Sequence, residues 1–142
     1  MLGIFILLFA AYSALWFYVA GEIKRQYPLA LADLMDADTQ PQTPIITGFP
    51  GKIRMAVDQE RLVTPVANFE IQTIRAHGWP IPNAPITLTT GPINARSFRW
   101  RDPLTFDSLM AVVNTDGQIL NVRDSELNRG NFSAVLKGTL DL

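Results

Sequence analysis

The chain has 142 residues, 48% hydrophobic and 18% charged, with 12 Lys and Arg against 13 Asp and Glu for a formal net charge of −1. With no cysteine there are no disulfides, thiolate nucleophiles, iron–sulfur clusters or Cys-ligated zinc, and a single histidine, His77, excludes a His-rich metal site within one chain. No basic face is evident, which argues against nucleic acid as a partner, and the length suits a short anchor plus one domain.

Residues 2–20 read LGIFILLFAAYSALWFYVA and carry no charge. As a helix they rise about 28 Å, close to the ~30 Å hydrocarbon core of a bilayer. Backbone polar groups in lipid must pair internally, so a lone span is helical. Tyr12, Trp16, Phe17 and Tyr18 gather in its C-terminal half, the end expected at headgroup level. The apolar run exceeds that of a signal peptide, no Lys or Arg precedes it, and Tyr18-Val19-Ala20 is a poor cleavage site. Residues 1–21 are therefore read as an uncleaved transmembrane anchor. Lys24 and Arg25 follow it, partly countered by Glu22, and the positive-inside rule puts this flank on the cytoplasmic side.

Residues 22–44 are read as an amphipathic helix and linker. Ile23, Tyr27, Ala30, Leu31 and Leu34 recur at three- and four-residue spacing, with a kink or restart expected at Pro28. This stripe suits a membrane surface or the end of a sheet. Residues 39–44 are polar and proline-bearing. Asp33, Asp36 and Asp38 lack the glycine and ligand spacing of a calcium loop and read as a solvated helix end.

Over 45–142 the helical period gives way to alternation. Ile53, Met55 and Val57 share one side of 52–58. Phe69, Ile71 and Thr73 share one side of 68–76, and Ile86 and Leu88 one side of 84–90. In 93–101, Phe98 and Trp100 oppose Arg99 and Arg101. In 104–113, Leu104, Phe106, Met110 and Val112 oppose Leu109, Ala111 and Val113. Leu120 and Val122 mark 118–124, and Phe132, Ala134, Leu136, Leu140 and Leu142 mark 131–142. Asp116-Gly117 and Asn128-Arg129-Gly130-Asn131 are turn candidates, and 78–83 is too rich in proline for a central strand. The expected fold is mainly β: a transmembrane helix, a short helix, and an antiparallel meander of about seven strands forming a curled sheet or groove. The final alternating stretch is either the closing strand or an edge that another chain completes.

Candidate chemistry is sparse. His77, placed in a loop, has no carboxylate partner in the pattern and reads as structural. Neither Gly-x-Ser-x-Gly nor a phosphate-binding glycine loop occurs, so no enzyme, cofactor or metal is expected. Arg96, Arg99 and Arg101 around Phe98 and Trp100 suit an outward face carrying Arg for solubility, or contact with anionic headgroups.

The anchor, the following helix, and Ile46-Thr47-Gly48-Phe49-Pro50 before an alternating strand resemble the AsmA and TamB class of bacterial envelope proteins, especially small relatives with a Gly-Phe-Pro step after the anchor. That resemblance implies a single-pass inner-membrane protein with a periplasmic sheet whose apolar groove conducts lipid. This chain is shorter than those relatives and lacks their basic residues before the anchor, and the periplasmic side conflicts with Lys24 and Arg25. The expected function is binding or guiding lipid acyl chains along a face lined by Ile53, Met55, Val57, Phe69, Ile71, Ile86, Leu88, Phe106, Met110 and Leu136, with Arg96, Arg99 and Arg101 at headgroups. The alternative is a structural or assembly subunit whose C-terminal strand is completed by a protein partner.

Overall fold

A computed structural model describes residues 2–33, 35, 40–115 and 119–141. In chain order the elements are α1 (Leu2–Ala32), β1 (Ile45–Thr47), β2 (Ile53–Val63), β3 (Asn68–Gly78), β4 (Ile86–Thr90), β5 (Ile93–Arg96), β6 (Leu104–Phe106), β7 (Ser108–Thr115), β8 (Ile119–Arg129) and β9 (Phe132–Asp141).

The first turns of α1 are apolar on every side, with Leu2, Ile4, Phe5, Ile6, Leu7, Leu8 and Phe9 all exposed. A helix with no polar face suits an apolar surrounding, and α1 is long and apolar enough to cross a membrane. It runs unbroken through Pro28, so residues 22–32, expected to belong to a separate second helix, are part of α1. Pro28 stands four residues before the end of α1, where its missing hydrogen bond interrupts only the last turns. Asp36, Asp38 and Leu34 lie outside the described residues.

The strands form one open antiparallel sheet in the order β1-β2-β3-β4-β7-β8-β9, with β5 pairing β3 and β6. The register shows why nine segments meet the expectation of about seven strands. Along β3, Ile74–Gly78 pairs β4 and Asn68–Ile71 pairs β5, so β4 and β5 are one strand line broken at Gly91-Pro92. Its neighbour is likewise one line, β6 and β7, broken at Asp107. These make seven lines with the short β1, which the sequence reading missed, while it counted 84–90 and 93–101, one line here, as two strands. The Asn128–Asn131 turn forms as expected: Arg129 pairs Phe132, and Gly130 supplies the positive φ of 54° at the first turn position. Asp116-Gly117 and Leu142 lie outside the described residues.

The breaks align into a crease across the sheet. Gln59 in β2 has φ 60°, and the buried side shifts from Ile53, Met55 and Val57 to Glu60. Ile71 and Ile74 of β3 both pack on the same cluster, although they are three residues apart. The interruptions at 91–92 and 107 continue the same line. Beyond the crease a four-strand extension comprises the ends of β2 and β3 with β5 and β6.

Three strand expectations change. His77 lies within β3, which extends to Gly78. The strand expected over 93–101 stops at Arg96, because the Ser97 hydroxyl donates to the Val66 carbonyl while the Arg99 and Trp100 amides bond back to Ser97. The alternation of Phe98 and Trp100 with arginines therefore lies in a turn. The 104–113 stretch crosses the crease, so Leu104 and Phe106 do not share a face with Met110 and Val112.

Helix α1 packs along β1 and β2. Trp16, Ala20 and Ile53 are buried together, flanked by Tyr12, Val19, Ile23 and Ile46. Met55, Val57 and Ile74 form the next layer, under Ile23 and Tyr27. The helix and β2 thus run in the same direction, and β2 carries the sheet away from the apolar half of α1. The ten steps from Ile53 to Val63 span roughly 33 Å at ~3.3 Å per residue.

Candidate functional site

Residues directly opposite in neighbouring strands point to the same side of a sheet. Met55, Ala76, Leu88, Ala111, Ser125 and Leu136 therefore form one row on the helix side. Ile53, Gly78, Ile86, Val113, Val122 and Gly138 form the row nearer the apolar stretch of α1. Val57, Ile74, Thr90, Leu109, Leu127 and Ala134 form the row nearer the crease. The opposite face is largely polar, with rows such as Arg54, His77, Thr87, Val112 and Asp124.

This face divides into a covered and an uncovered part. Under α1, Ile53, Met55 and Val57 are buried, and Ile71 and Leu88 pack against their cluster. These residues are core, filled by the protein's own helix, and are not an open groove lining. Over β7, β8 and β9 no helix lies among the described residues. Leu109, Val113, Val122 and Leu127 are half-buried there, and Leu136 on the β9 edge is 63% exposed. Phe69 and Phe106 are half-buried on the same side beyond the crease. Met110 is the exception among the expected residues. It pairs Thr89 and Glu126 on the polar face and is 40% exposed, because the break at Asp107 reverses the alternation on which its placement rested.

Between the two parts is an apolar cleft of about 190 Å³ lined by Val19, Ile23, Ile53, Met55, Ala76, His77, Gly78, Trp79 and Ile86. It lies beside the helix at the level where its apolar stretch ends, and its Ile86 edge neighbours Val113 of the uncovered sheet. At the far end of the sheet, Arg96 and Arg101 line a larger, more polar groove with Phe98 and Trp100, and the Arg99 guanidinium lies 5.9 Å from the Phe98 ring centroid. Arg96, Arg99 and Arg101, expected at headgroups, thus lie at the end opposite the apolar stretch of α1.

A buried carboxyl escaped the sequence reading. The phase change at Gln59 turns Glu60 inward to 2% exposure, where it accepts from the Tyr27 hydroxyl at 3.0 Å and from the Gln42 amide at 3.3 Å. Tyr27 lies beyond the uncharged stretch of α1, and its phenol is pushed above its ordinary range by burial first, then by the neighbouring Glu60. No local signal marks Gln59 for a left-handed conformation, so strict alternation places Glu60 outside.

The Gly-Phe-Pro step closes the end of the sheet beside the apolar stretch of α1. Gly48 has φ 113°, and a Cβ there would overlap the Lys52 carbonyl oxygen. Phe49 packs on Phe9, Trp16 and Phe17 with ring centroids 6.1, 5.4 and 5.0 Å away. Tyr12 donates to the Pro50 carbonyl at 2.6 Å, and the Trp16 indole to the Gly51 carbonyl at 3.0 Å. Among the described residues no cluster of His, Asp and Glu is arranged to hold a metal ion.

No protein-family model, curated protein or solved structure matches this chain.

Proposed function

We propose that the chain is a single-pass, membrane-anchored protein of AsmA-like type, whose helix-side sheet face binds or guides lipid acyl chains. The observation that carries this reading is the apolar cleft between Val19, Ile23 and Ile86, whose Ile86 edge pairs Val113 at the start of the uncovered rows of β7–β9. A chain leaving the bilayer beside α1 meets apolar surface without crossing a polar barrier. Each buried CH₂ contributes about 0.8 kcal/mol, so such a surface holds a chain without specific polar contacts. The role requires no reacting group. By its AsmA-like character the protein belongs in a bacterial inner membrane with the sheet in the periplasm.

A second reading is favoured by β9, whose outer edge pairs with no other strand among the described residues and which exposes Phe132, Val135 and Leu136. In that reading a protein partner adds a strand to β9 in an assembled complex.

Val135 and Leu136 separate the two. They are adjacent and equally exposed but lie on opposite faces, through Glu126 and Ser125 respectively. In native mass spectrometry of protein released gently from its membranes, Leu136→Glu should lose co-purifying phospholipid and Val135→Glu should keep it. Loss of a protein partner in both variants, with no lipid on the parent chain, would replace the lipid reading with the assembly one.

A further inference from the structure

The apolar stretch and the sheet overlap along the helix axis. The turn at 48–51 is bound to α1 at Tyr12 and Trp16, not beyond its apolar end. On a helix, Trp16 and Tyr12 lie about 6 and 12 Å before Ala20. If residues 2–20 fill the hydrocarbon core, this turn lies inside the bilayer beside them. A second loop reaches the same end of the sheet. Trp79, 48% exposed, shares the apolar cleft with Val19 and Ile23, and Ile81 is exposed beside it.

Resting on the anchor reading above, we propose that this rim, the 48–51 turn together with Trp79 and Ile81, is a membrane-contact surface immersed in the lipid bilayer. Three features fit it to that surrounding. First, several of its backbone polar groups are paired within the rim or with the helix. The Gly51 amide bonds Gly48 at 2.7 Å, and the Pro50 and Gly51 carbonyls take their donors from the helix. In the second loop the Ile81 amide bonds Trp79 and the Ala84 amide bonds Ile81. Irregular backbone enters lipid only when its polar groups are paired. Second, Pro50, Pro80, Pro82 and Pro85 remove amide donors that would otherwise need partners. Third, the exposed side chains match the depth. Phe49 is set against Phe9 and Phe17 on the apolar stretch, and Trp79 at its end takes the position tryptophan favours at an interface. Lys52 and Arg54, exposed just beyond the turn, then fall near anionic headgroups. The rim fixes how the sheet stands on the membrane and places the mouth of the cleft at the lipid boundary.

The absence of native cysteine makes the test direct. Single cysteines at Ile6, Phe49, Ile81 and Phe98, spin-labelled in the full chain, are reconstituted in phosphatidylcholine–phosphatidylglycerol vesicles. Collision rates with oxygen and with a water-soluble nickel chelate then report depth. The label at 49 should resemble the one at 6 and the label at 81 should read a shallower, interfacial depth, both with oxygen-to-nickel ratios several-fold above that at 98. Ile81 is exposed, so its label reads the rim even if replacing Phe49 loosens the turn. A lipid-like signal at 6 with water-like signals at 49 and 81 overturns the rim proposal and leaves the anchor standing. Water-like signals at all four positions overturn both.

Discussion

Gly48, Glu60 and Tyr27 each tie the sheet to the helix. Gly48 lets the chain fold back over the Lys52 carbonyl, which brings Phe49 onto the helix. Glu60 and Tyr27 form the one described hydrogen bond between side chains of the helix and the sheet. Tyr27→Phe should lower stability by about 1–3 kcal/mol, because it leaves a buried acceptor short of a donor. The effect on pH dependence has a definite sign. The fold holds the neutral phenol and raises its pKa, so this stabilisation is complete below the ordinary tyrosine value of about 10 and is lost as pH rises above it. Denaturant unfolding at neutral and alkaline pH should show that loss in the parent chain, and Tyr27→Phe should lack the component. An unchanged alkaline slope would remove Tyr27 from the account.

Helix α1 serves two surroundings. Its first turns are apolar throughout, whereas from Tyr12 onward one side is fitted to β1 and β2. Ala20 shows how close that fit is, since it is buried with Trp16 and Ile53 while Ala14 is exposed. Ala20→Leu should cost about 1–3 kcal/mol through overpacking, whereas Ala14→Leu, with the same added volume, should be near neutral. Thermal unfolding in detergent compares them, and equal effects would mean that the helix does not dock on the sheet as described. In β8, two residues meet one across the Lys137 position. The Ser125 hydroxyl donates to the Leu136 carbonyl and accepts its amide, so the bulge keeps its backbone paired.

Taken whole, the molecule is a half-covered sheet standing beside its own helix. One end lies against the apolar stretch of α1, and the arginine-lined groove lies roughly 33 Å further along the strands. This polarity makes the side of the membrane a functional matter. The AsmA-like reading puts the sheet in the periplasm, while Lys24 and Arg25 favour the cytoplasm. Alkaline phosphatase fused after residue 142 should be active in a bacterial host and a fluorescent protein that matures only in the cytoplasm should be dark. The reverse pattern would remove the periplasmic placement and with it the envelope-transport role.

The sequence by itself determined the apolar helix, the antiparallel β class and most strand positions, because hydrophobic run length and period-two alternation are local signals. Ile53, Met55 and Val57 fell on one face for that reason, as did Ile86 and Leu88. The turn chemistry of Gly48 and Gly130 was legible too, since few residues other than glycine take their positive φ. Only the tertiary structure decided which apolar residues remain open. The burial of Met55 depends on where α1 lies, and the facing of Met110 and Glu60 depends on a crease set by four strand lines together. Alternation counts residues along one strand, whereas a crease is a property of the pairing between strands, so no single segment carried its mark.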